Sequence, residues 1–439
     1  MNRQSFYFIR LSGLALIFFM GTIAFADHPN EGSLSLEQLI KEAESQNFDL
    51  KEADSYLKAS EAESKSQYGK LMPQLSVEGG PLTTKFDDEK NSGTAVYGKA
   101  DWNLYRGGRD QDAIDKSRIK RDLDRRKYEA VKSRIVREIS RVYYELLFLI
   151  EGTHLKEKAL EMNQEQMKLA KLKKTSGFTS NADVIEFELR EATLNSDLKL
   201  FSQVITEKSR ELSVLLGRKD SSIPNLVKGH LKRDTSPSLS RESILSRLKD
   251  SNIEIAEAQA ELQMSRKDVS IAKSGFLPAV DLEAKYGRIA NEERVFSDNN
   301  NYSVMLKVSV PLFSGLETVN QTRAASSTIA AKDAAISRKN LSAYAETENL
   351  LSQLSTLDDR LNLEEKNLSK SEEYYKITLG EYKRGVKNSP DMVGASERLL
   401  EARIRNLEYR KEYYLTKLKI YELVSSDPVR EAISGKNIN

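Results

Sequence analysis

The chain has 439 residues, enough for two or three compact domains, but its composition argues against compact ones. Charged residues make up 31% of the chain and only nine residues are proline, a balance typical of long solvated helices. The formal net charge of +2, without basic clusters interleaved with aromatics, excludes a nucleic-acid partner, and the lack of cysteine excludes disulfides and thiol chemistry.

Residues 1–26 have the pattern of a secretory signal peptide. Arg3 and Arg10 make the start positively charged and precede an apolar run, residues 11–23, which is followed by an Ala-x-Ala site that ends at Ala26. The apolar run is too short to span a membrane as a helix. We therefore expect cleavage after this site and a mature protein outside the inner membrane; an uncleaved anchor is the alternative.

The rest of the sequence contains two similar halves. Three matches occur in the same order at a nearly constant shift of about 205 to 208 residues, which indicates an internal duplication. The matching pairs are residues 47–75 with 252–280, 102–107 with 310–315, and Gly177 and Asp183 with Gly385 and Asp391.

Each half is predicted to contain a helix, two strands, a long helix and a further helix. The first repeat is predicted over 27–216, a linker over 217–238, the second repeat over 239–424 and a tail over 425–439. The predicted elements are a helix 36–71, strands 74–80 and 95–104, a long helix 109–174 and a helix 181–216, then a helix 239–276, strands 279–287 and 302–311, a long helix 318–384 and a helix 389–424.

The predicted strands alternate apolar and polar residues. In the last of them Val304, Leu306 and Val308 alternate with Ser303 and Lys307. Soluble sandwich strands share this period, but segments of this length with apolar-out, polar-in alternation also suit a membrane barrel. Four strands cannot close such a barrel, and open edges in lipid would leave backbone groups unpaired. Strands that cross a membrane would therefore have to be pooled from several chains.

The long helices are the second unusual feature. Between residues 109 and 174 there is no proline, and apolar residues return at three- and four-residue steps, for example Ile135, Ile139 and Val142. A helix of this length measures roughly 100 Å at 1.5 Å per residue. Its apolar stripe has to pack on other helices in the manner of a coiled coil.

Together, a signal peptide, duplicated halves, two strands per half and two very long helices resemble the TolC family of outer-membrane efflux proteins. The most specific matches are the strand-to-helix turns at Gly107 and Gly315 and the helical tip motifs around Gly177 and Gly385. The resemblance implies a mainly α fold with β: duplicated long helical hairpins form a tunnel, and four transmembrane strands per chain contribute to a trimeric 12-stranded barrel.

The same resemblance implies a function. It predicts a homotrimer in the cell outer membrane, surrounded by outer-membrane lipid and extending into the periplasm. The trimer would be the passive conduit of a tripartite efflux or type I secretion system. Docking of a periplasmic adaptor protein and an inner-membrane transporter would open it at the helical tips. The sequence does not distinguish whether drugs, metals or proteins are exported.

Residues of the predicted gate follow from the tip motifs. Tyr382 and Lys387 match an aromatic and a basic residue that tie neighbouring helices shut in the family, and Asp183 matches the acidic partner position. Lys387 replaces the more usual arginine, which keeps the charge but loses the planar fork of donors. Asp391 matches the outer of two acid rings, whereas the inner acid is replaced by Gly394.

The same tip residues have a local alternative. Asp183 and Asp391 are also placed to favour the start of a helix, with Ser389 as a cap. Gly177 and Gly385, which are candidates for adaptor docking, are also suited to end the helices before them.

No enzyme is predicted. The three histidines, His28, His154 and His230, are isolated, and neither a nucleophile motif nor a phosphate loop is present, so we expect no cofactor and no metal. The alternative function is a soluble periplasmic coiled-coil adaptor or structural protein. An adaptor would have one helical hairpin between lipoyl-like and β-barrel segments, and the two hairpins and four strands here disfavour it.

Overall fold

The computed structural model describes residues 35–86, 89–218, 229–233, 240–288 and 301–424. The predicted signal peptide, most of the linker and the C-terminal tail lie outside the described residues. The described helices are α1 Leu36–Gln46, α2 Phe48–Ser66, α3 Arg109–Thr175, α4 Asn181–Leu215, α5 Arg241–Ser251, α6 Ile253–Lys273, α7 Glu317–Arg384 and α8 Ser389–Leu423. The described strands are β1 Gln74–Phe86, β2 Glu89–Arg106, β3 Ala279–Arg288 and β4 Asn301–Ser309. The predicted class, mainly helical with a small antiparallel sheet, is confirmed.

The four strands form one antiparallel sheet in the order β1-β2-β3-β4. The β1–β2 hairpin is longer than predicted, because pairing continues through the polar stretch after residue 80 as far as Phe86 opposite Glu89. Strand β4 is shorter than predicted and ends at Ser309, close to Pro311, which has no N–H to donate to a ladder. Among the described strands β1 pairs only with β2, and β4 pairs only with β3.

The two faces of the sheet differ in polarity. Register places Trp102, Leu282 and Leu306 side by side across β2, β3 and β4. On the opposite face Lys99 lies 3.0 Å from the carboxylate of Asp101 and 3.7 Å from that of Glu283. One face is therefore apolar and exposed, while the other carries a network of paired charges.

The helix predicted before each hairpin of strands is wrong as a single element. In place of 36–71 the chain forms α1 and α2, followed by a short 3-10 helix, and in place of 239–276 it forms α5 and α6, again with a 3-10 turn. The breaks lie at Asn47 and Asn252, both of which are buried. The apolar periodicity continues across each break, which is why the pattern predicts a single helix.

Each break is held by two hydrogen bonds of the asparagine side chain. The Asn47 Oδ1 accepts from the N–H of Leu50 at 3.0 Å, and its Nδ2 donates to the carbonyl of Leu215 at 2.7 Å. Asn252 makes the equivalent pair with α6 and the end of α8, at 3.1 and 2.8 Å. One side chain thus starts a helix and also satisfies a carbonyl at the end of another.

The helices pack as a four-helix wall at two levels. Next to the sheet, the contacts run in the order α2, α3, α6 and α7. Beyond the asparagine breaks, α4 and α8 replace α2 and α6, and the order becomes α4, α3, α8 and α7. Within the described residues, no helix combines the length and apolarity needed to span a membrane. At both levels α7 is one edge of the wall, and α2 or α4 is the other.

The two strand-to-helix turns are alike in backbone but not in packing. Gly107 and Gly315 both have left-handed φ angles, +62° and +61°. A Cβ on Gly107 would lie 2.8 Å from the Cβ of Leu277 and 2.9 Å from the carbonyl oxygen of Ser274, whereas a Cβ on Gly315 would meet no atom within 4 Å. Gly107 therefore has a steric requirement that Gly315 lacks.

We expect Gly107→Ala to lower stability more than Gly315→Ala. Both changes place a side chain in the left-handed region at a cost of about 1 kcal/mol, and only Gly107→Ala adds overlap with its neighbours, on the order of 1–3 kcal/mol. Thermal unfolding of the two detergent-solubilised variants measures the difference. Equal losses of stability would show that the turn at Gly107 relaxes without cost.

Candidate functional site at the helical tips

Two turns far from the sheet form the tips of the hairpins. Tip 1 joins α3 to α4 through Gly177, and tip 2 joins α7 to α8 through Gly385, with φ angles of +77° and +80°. In tip 1 the N–H groups of Gly177 and Phe178 bond back to carbonyls of the last turn of α3, and tip 2 repeats the arrangement. Both glycines thus end a helix in a Schellman motif.

The acids at the tips close the first turn of the following helix. The Asp183 carboxylate accepts from the N–H of Ser180 at 3.0 Å, and the Ser180 hydroxyl accepts from the N–H of Asp183 at 3.3 Å. Asp391 forms the same reciprocal box with Asn388, at 3.4 and 3.1 Å. The cap of α8 is therefore Asn388 and not Ser389, which the sequence predicted.

Asp183 also contacts the other tip. Its second carboxylate oxygen accepts a hydrogen bond from the backbone N–H of Ser389 at 3.3 Å. Hydrogen bonding from the Thr179 side chain, followed by the backbone and side chain of Ser180, holds the pKa of Asp183 well below its usual range. The group is therefore a carboxylate at any physiological pH, placed at the positive end of both α4 and α8.

Tyr382 is buried in an apolar cluster that joins the two hairpins. The cluster contains Met167, Ala170, Val184, Phe187, Tyr382, Met392 and Val393. The Tyr382 ring meets Phe187 edge-on at 6.1 Å, and its hydroxyl lies 3.4 Å from the Ser389 Oγ. Burial raises the pKa of Tyr382. Tyr382, the aromatic residue of the predicted gate, is thus already buried in the apolar core between the tips of a single chain.

Lys387 lies next to Asp391 and not next to Asp183, which the tip motif suggests as its acidic partner. Its Nζ lies 3.9 Å from the Asp391 carboxylate, one turn along its own tip. Among the described residues no ion pair joins it to Asp183, which contacts the backbone of Ser389 instead. No atom lies within 4 Å of the position that a Cβ on Gly394 would take, so within the single chain no contact at that point requires a glycine.

One contact between the tips was not predicted from the sequence. The Lys173 Nζ, in the last turn of α3, donates to the carbonyl oxygen of Tyr382 and lies 4.1 Å from the centroid of its ring. The sequence shows only two neighbouring lysines at a helix end, and nothing separates Lys173 from Lys174. Among the described residues, no group of His, Cys, Asp or Glu side chains is placed to hold a metal ion.

Both halves of the chain match one protein family. The family described as outer membrane efflux protein matches residues 39–218 and 244–426. The chain belongs to this family. The predicted TolC-family resemblance is thereby confirmed, and the soluble adaptor alternative is not supported. This efflux protein is an outer-membrane channel that extends into the periplasm.

Individual relatives are distant in sequence but similar over most of their length. The outer membrane protein TolC of Vibrio cholerae serotype O1 is 18% identical over 304 residues, 68% of this chain and 69% of that protein. The pyoverdine export outer membrane protein OpmQ of Pseudomonas putida is 20% identical over 429 residues, 92% and 86% of the two chains. The structure of CusC aligns with a TM-score of 0.79 at 16% identity and covers 89% of this chain and 92% of that one.

Proposed function

We propose that three copies of this efflux protein assemble into one passive conduit. Their pooled strands would form the 12-stranded barrel in the outer membrane, and their helices would enclose a tunnel through the periplasm that ends at tips 1 and 2. The observation that carries the proposal is that the single chain is open at the same two edges at every level.

The open edges supply a consistent seam. In the sheet the edges are β1 and β4, next to the sheet they are α2 and α7, and towards the tips they are α4 and α7. A sheet edge in lipid leaves backbone groups without partners, so β4 of one copy requires β1 of another. The three-fold rotation that places β4 of one copy beside β1 of the next also brings α7 of the first copy against α2 and α4 of the second.

Side chains along these edges support the seam. On α7, apolar residues such as Leu341, Leu363 and Ile377 are exposed in the single chain. Exposed apolar residues on the other edge are Phe48 and Tyr56 of α2 and Ile185, Leu189 and Leu200 of α4. Exposed apolar residues thus lie along both edges, and in the proposed trimer one contact between neighbouring copies covers both sets at once.

We place the gate and the docking surface at the tips. Asp183, Tyr382, Lys387 and Asp391 would hold the closed state, and the turns at Gly177 and Gly385 would meet a periplasmic adaptor protein joined to an inner-membrane transporter. Asp391 would supply one acid ring from three chains, without the second ring that Gly394 omits. In this proposal the transporter drives export, and the conduit provides a water-filled channel and its gate.

The assembly is tested by light scattering of the detergent-solubilised particle. Three chains per particle are expected, and the same sample should give channels in planar lipid bilayers. A single chain per particle would contradict pooled strands, and a trimer that never conducts would contradict the conduit.

Lys387→Glu should raise the basal conductance of these channels. The change removes the cation beside Asp391 and adds a second acid next to the acid ring of the proposed trimer, so the three chains repel one another at the closed tips. Because the pair is partly exposed, we expect only about a twofold effect per chain. Lys168→Glu, an equal charge change at an exposed position of α3, which lies away from both edges, is the control. Unchanged conductance in a Lys387→Glu trimer would remove Lys387 from the gate.

A further inference from the structure

We infer that Lys173 ties the two hairpins of one chain together at their tips and so sets how readily the tips separate. The inference rests on the proposed conduit, because it concerns the regulation of its gate. Lys173 belongs to the end of α3 and its acceptor, the Tyr382 carbonyl, to the end of α7, 209 residues away in sequence. Neither residue can reach the other unless the two hairpins lie side by side.

The chemistry of the contact favours a charged donor. The Tyr382 carbonyl is one of the last in α7, where the helix dipole is negative, and a cation is stabilised there. The ammonium also faces the Tyr382 ring at 4.1 Å, within the range of a cation–π contact. Lys173 is half-buried, and this partial desolvation lowers its pKa while the charge of Asp183 raises it.

Asp183 provides the complementary contact. Its carboxylate accepts from the N–H of Ser389, at the positive start of α8. Tip 1 thus presents a cation to the negative end of α7 and an anion to the positive start of α8. Any movement that separates the hairpins has to break both contacts and expose the Tyr382 cluster to water.

Lys174 is a matched control within the same tip. Its Nζ donates to the Asn181 side-chain oxygen at 2.7 Å, so its contact stays inside the first hairpin. The two lysines are adjacent in sequence, carry the same charge and lie in the same last turn of α3. A difference between their variants therefore reports the contact with the second hairpin and not the net charge of the tip.

The experiment compares Lys173→Met with Lys174→Met in the full-length protein. Because the chain has no cysteine, F178C and V386C introduce a unique pair for spin labels. Phe178 and Val386 are 84% and 69% exposed, one on each tip. Labelled chains are mixed with an excess of unlabelled chains, so that pulsed electron paramagnetic resonance measures the distance between the two tips of one chain. Recordings in planar lipid bilayers measure the basal conductance.

Loss of a hydrogen bond to a charged donor changes an equilibrium by about tenfold. We expect Lys173→Met to shift the label distances towards longer values and to raise basal conductance by about that factor at most, since the Asp183 contact remains. Lys174→Met should match the unsubstituted protein, and Lys173→Arg, which keeps a donor, should restore the short distance. Lys173→Gln provides a second neutral variant if Lys173→Met folds poorly.

Two outcomes overturn the inference. One is an unchanged distance in both Lys173→Met and Lys173→Gln, and the other is an equal change in Lys174→Met. The failure of the proposed function has a separate signature, because channels would then be absent from the unsubstituted protein itself. The label distance does not depend on conduction, so it still decides whether Lys173 holds the tips together.

Discussion

Leu306→Asp should abolish assembly of the protein in the outer membrane. Leu306 lies on the apolar face of β4, opposite Leu282 of β3, and is 60% exposed in the single chain. In the proposed trimer this face meets hydrocarbon, where each carboxylate costs on the order of 2 kcal/mol, and three copies carry it in one barrel. The cost falls on the edge strand that has to pair with the next chain.

The control is an equal charge on the other face of the same strand. Ser303 pairs with Lys285 across β3, so Ser303→Asp places a carboxylate beside a cation on the polar face. We expect trimers of Ser303→Asp in the outer-membrane fraction and none of Leu306→Asp, as measured by gel mobility of unheated membranes. Normal trimers of Leu306→Asp together with loss of Ser303→Asp would mean that the faces are reversed.

Sequence patterns located the long helices and strands because their signals are local. Helix α3 ends one residue later than the predicted range 109–174, and α7 begins one residue earlier than the predicted range 318–384. Glycines with left-handed φ angles follow or precede these helices, and glycine is the residue that such positions favour. Alternation likewise identified the two faces of the sheet, because side-chain direction follows directly from the period of a strand.

Departures from the predicted elements depend on pairing that the apolar pattern of one segment does not contain. The helix break at Asn47 needs the carbonyl of Leu215, which is 168 residues away, so no local pattern reveals it. The extension of β1 to Phe86 depends on cross-strand pairing and not on alternation. A register shift between Asn103 and Tyr105 is equally invisible, because an extra residue in one strand is defined only against its neighbour.

The tips show the same division between local and distant contacts. The capping roles of Asp183 and Asp391 span three residues and were expected from spacing alone. Contacts between the tips, from Asp183 to Ser389 and from Lys173 to Tyr382, join residues more than 200 positions apart. The tip motif pointed to Asp183 and Tyr382 as members of a latch, but the contacts that each makes had to come from the structure.

Asn47→Ala should be the most destabilising single change at the helix breaks. It leaves the N–H of Leu50 and the carbonyl of Leu215 without their partner at a buried position. Each lost partner costs about 1–3 kcal/mol, so we expect a total of about 2–4 kcal/mol after partial relaxation. Chemical unfolding of the detergent-solubilised protein, followed by circular dichroism, measures it.

Two further variants separate the roles of this side chain. Asn47→Asp keeps the oxygen that caps α2 but cannot donate a hydrogen bond to the carbonyl of Leu215. Because it also places a carboxylate oxygen against that carbonyl oxygen, it should destabilise the protein at least as much as the loss of the donor alone. Asn252→Ala should match Asn47→Ala, because Asn252 makes the same two bonds in the second half. If both alanine variants unfold like the unsubstituted protein, the packing of the surrounding helices determines the breaks, and the asparagine hydrogen bonds do not stabilise them.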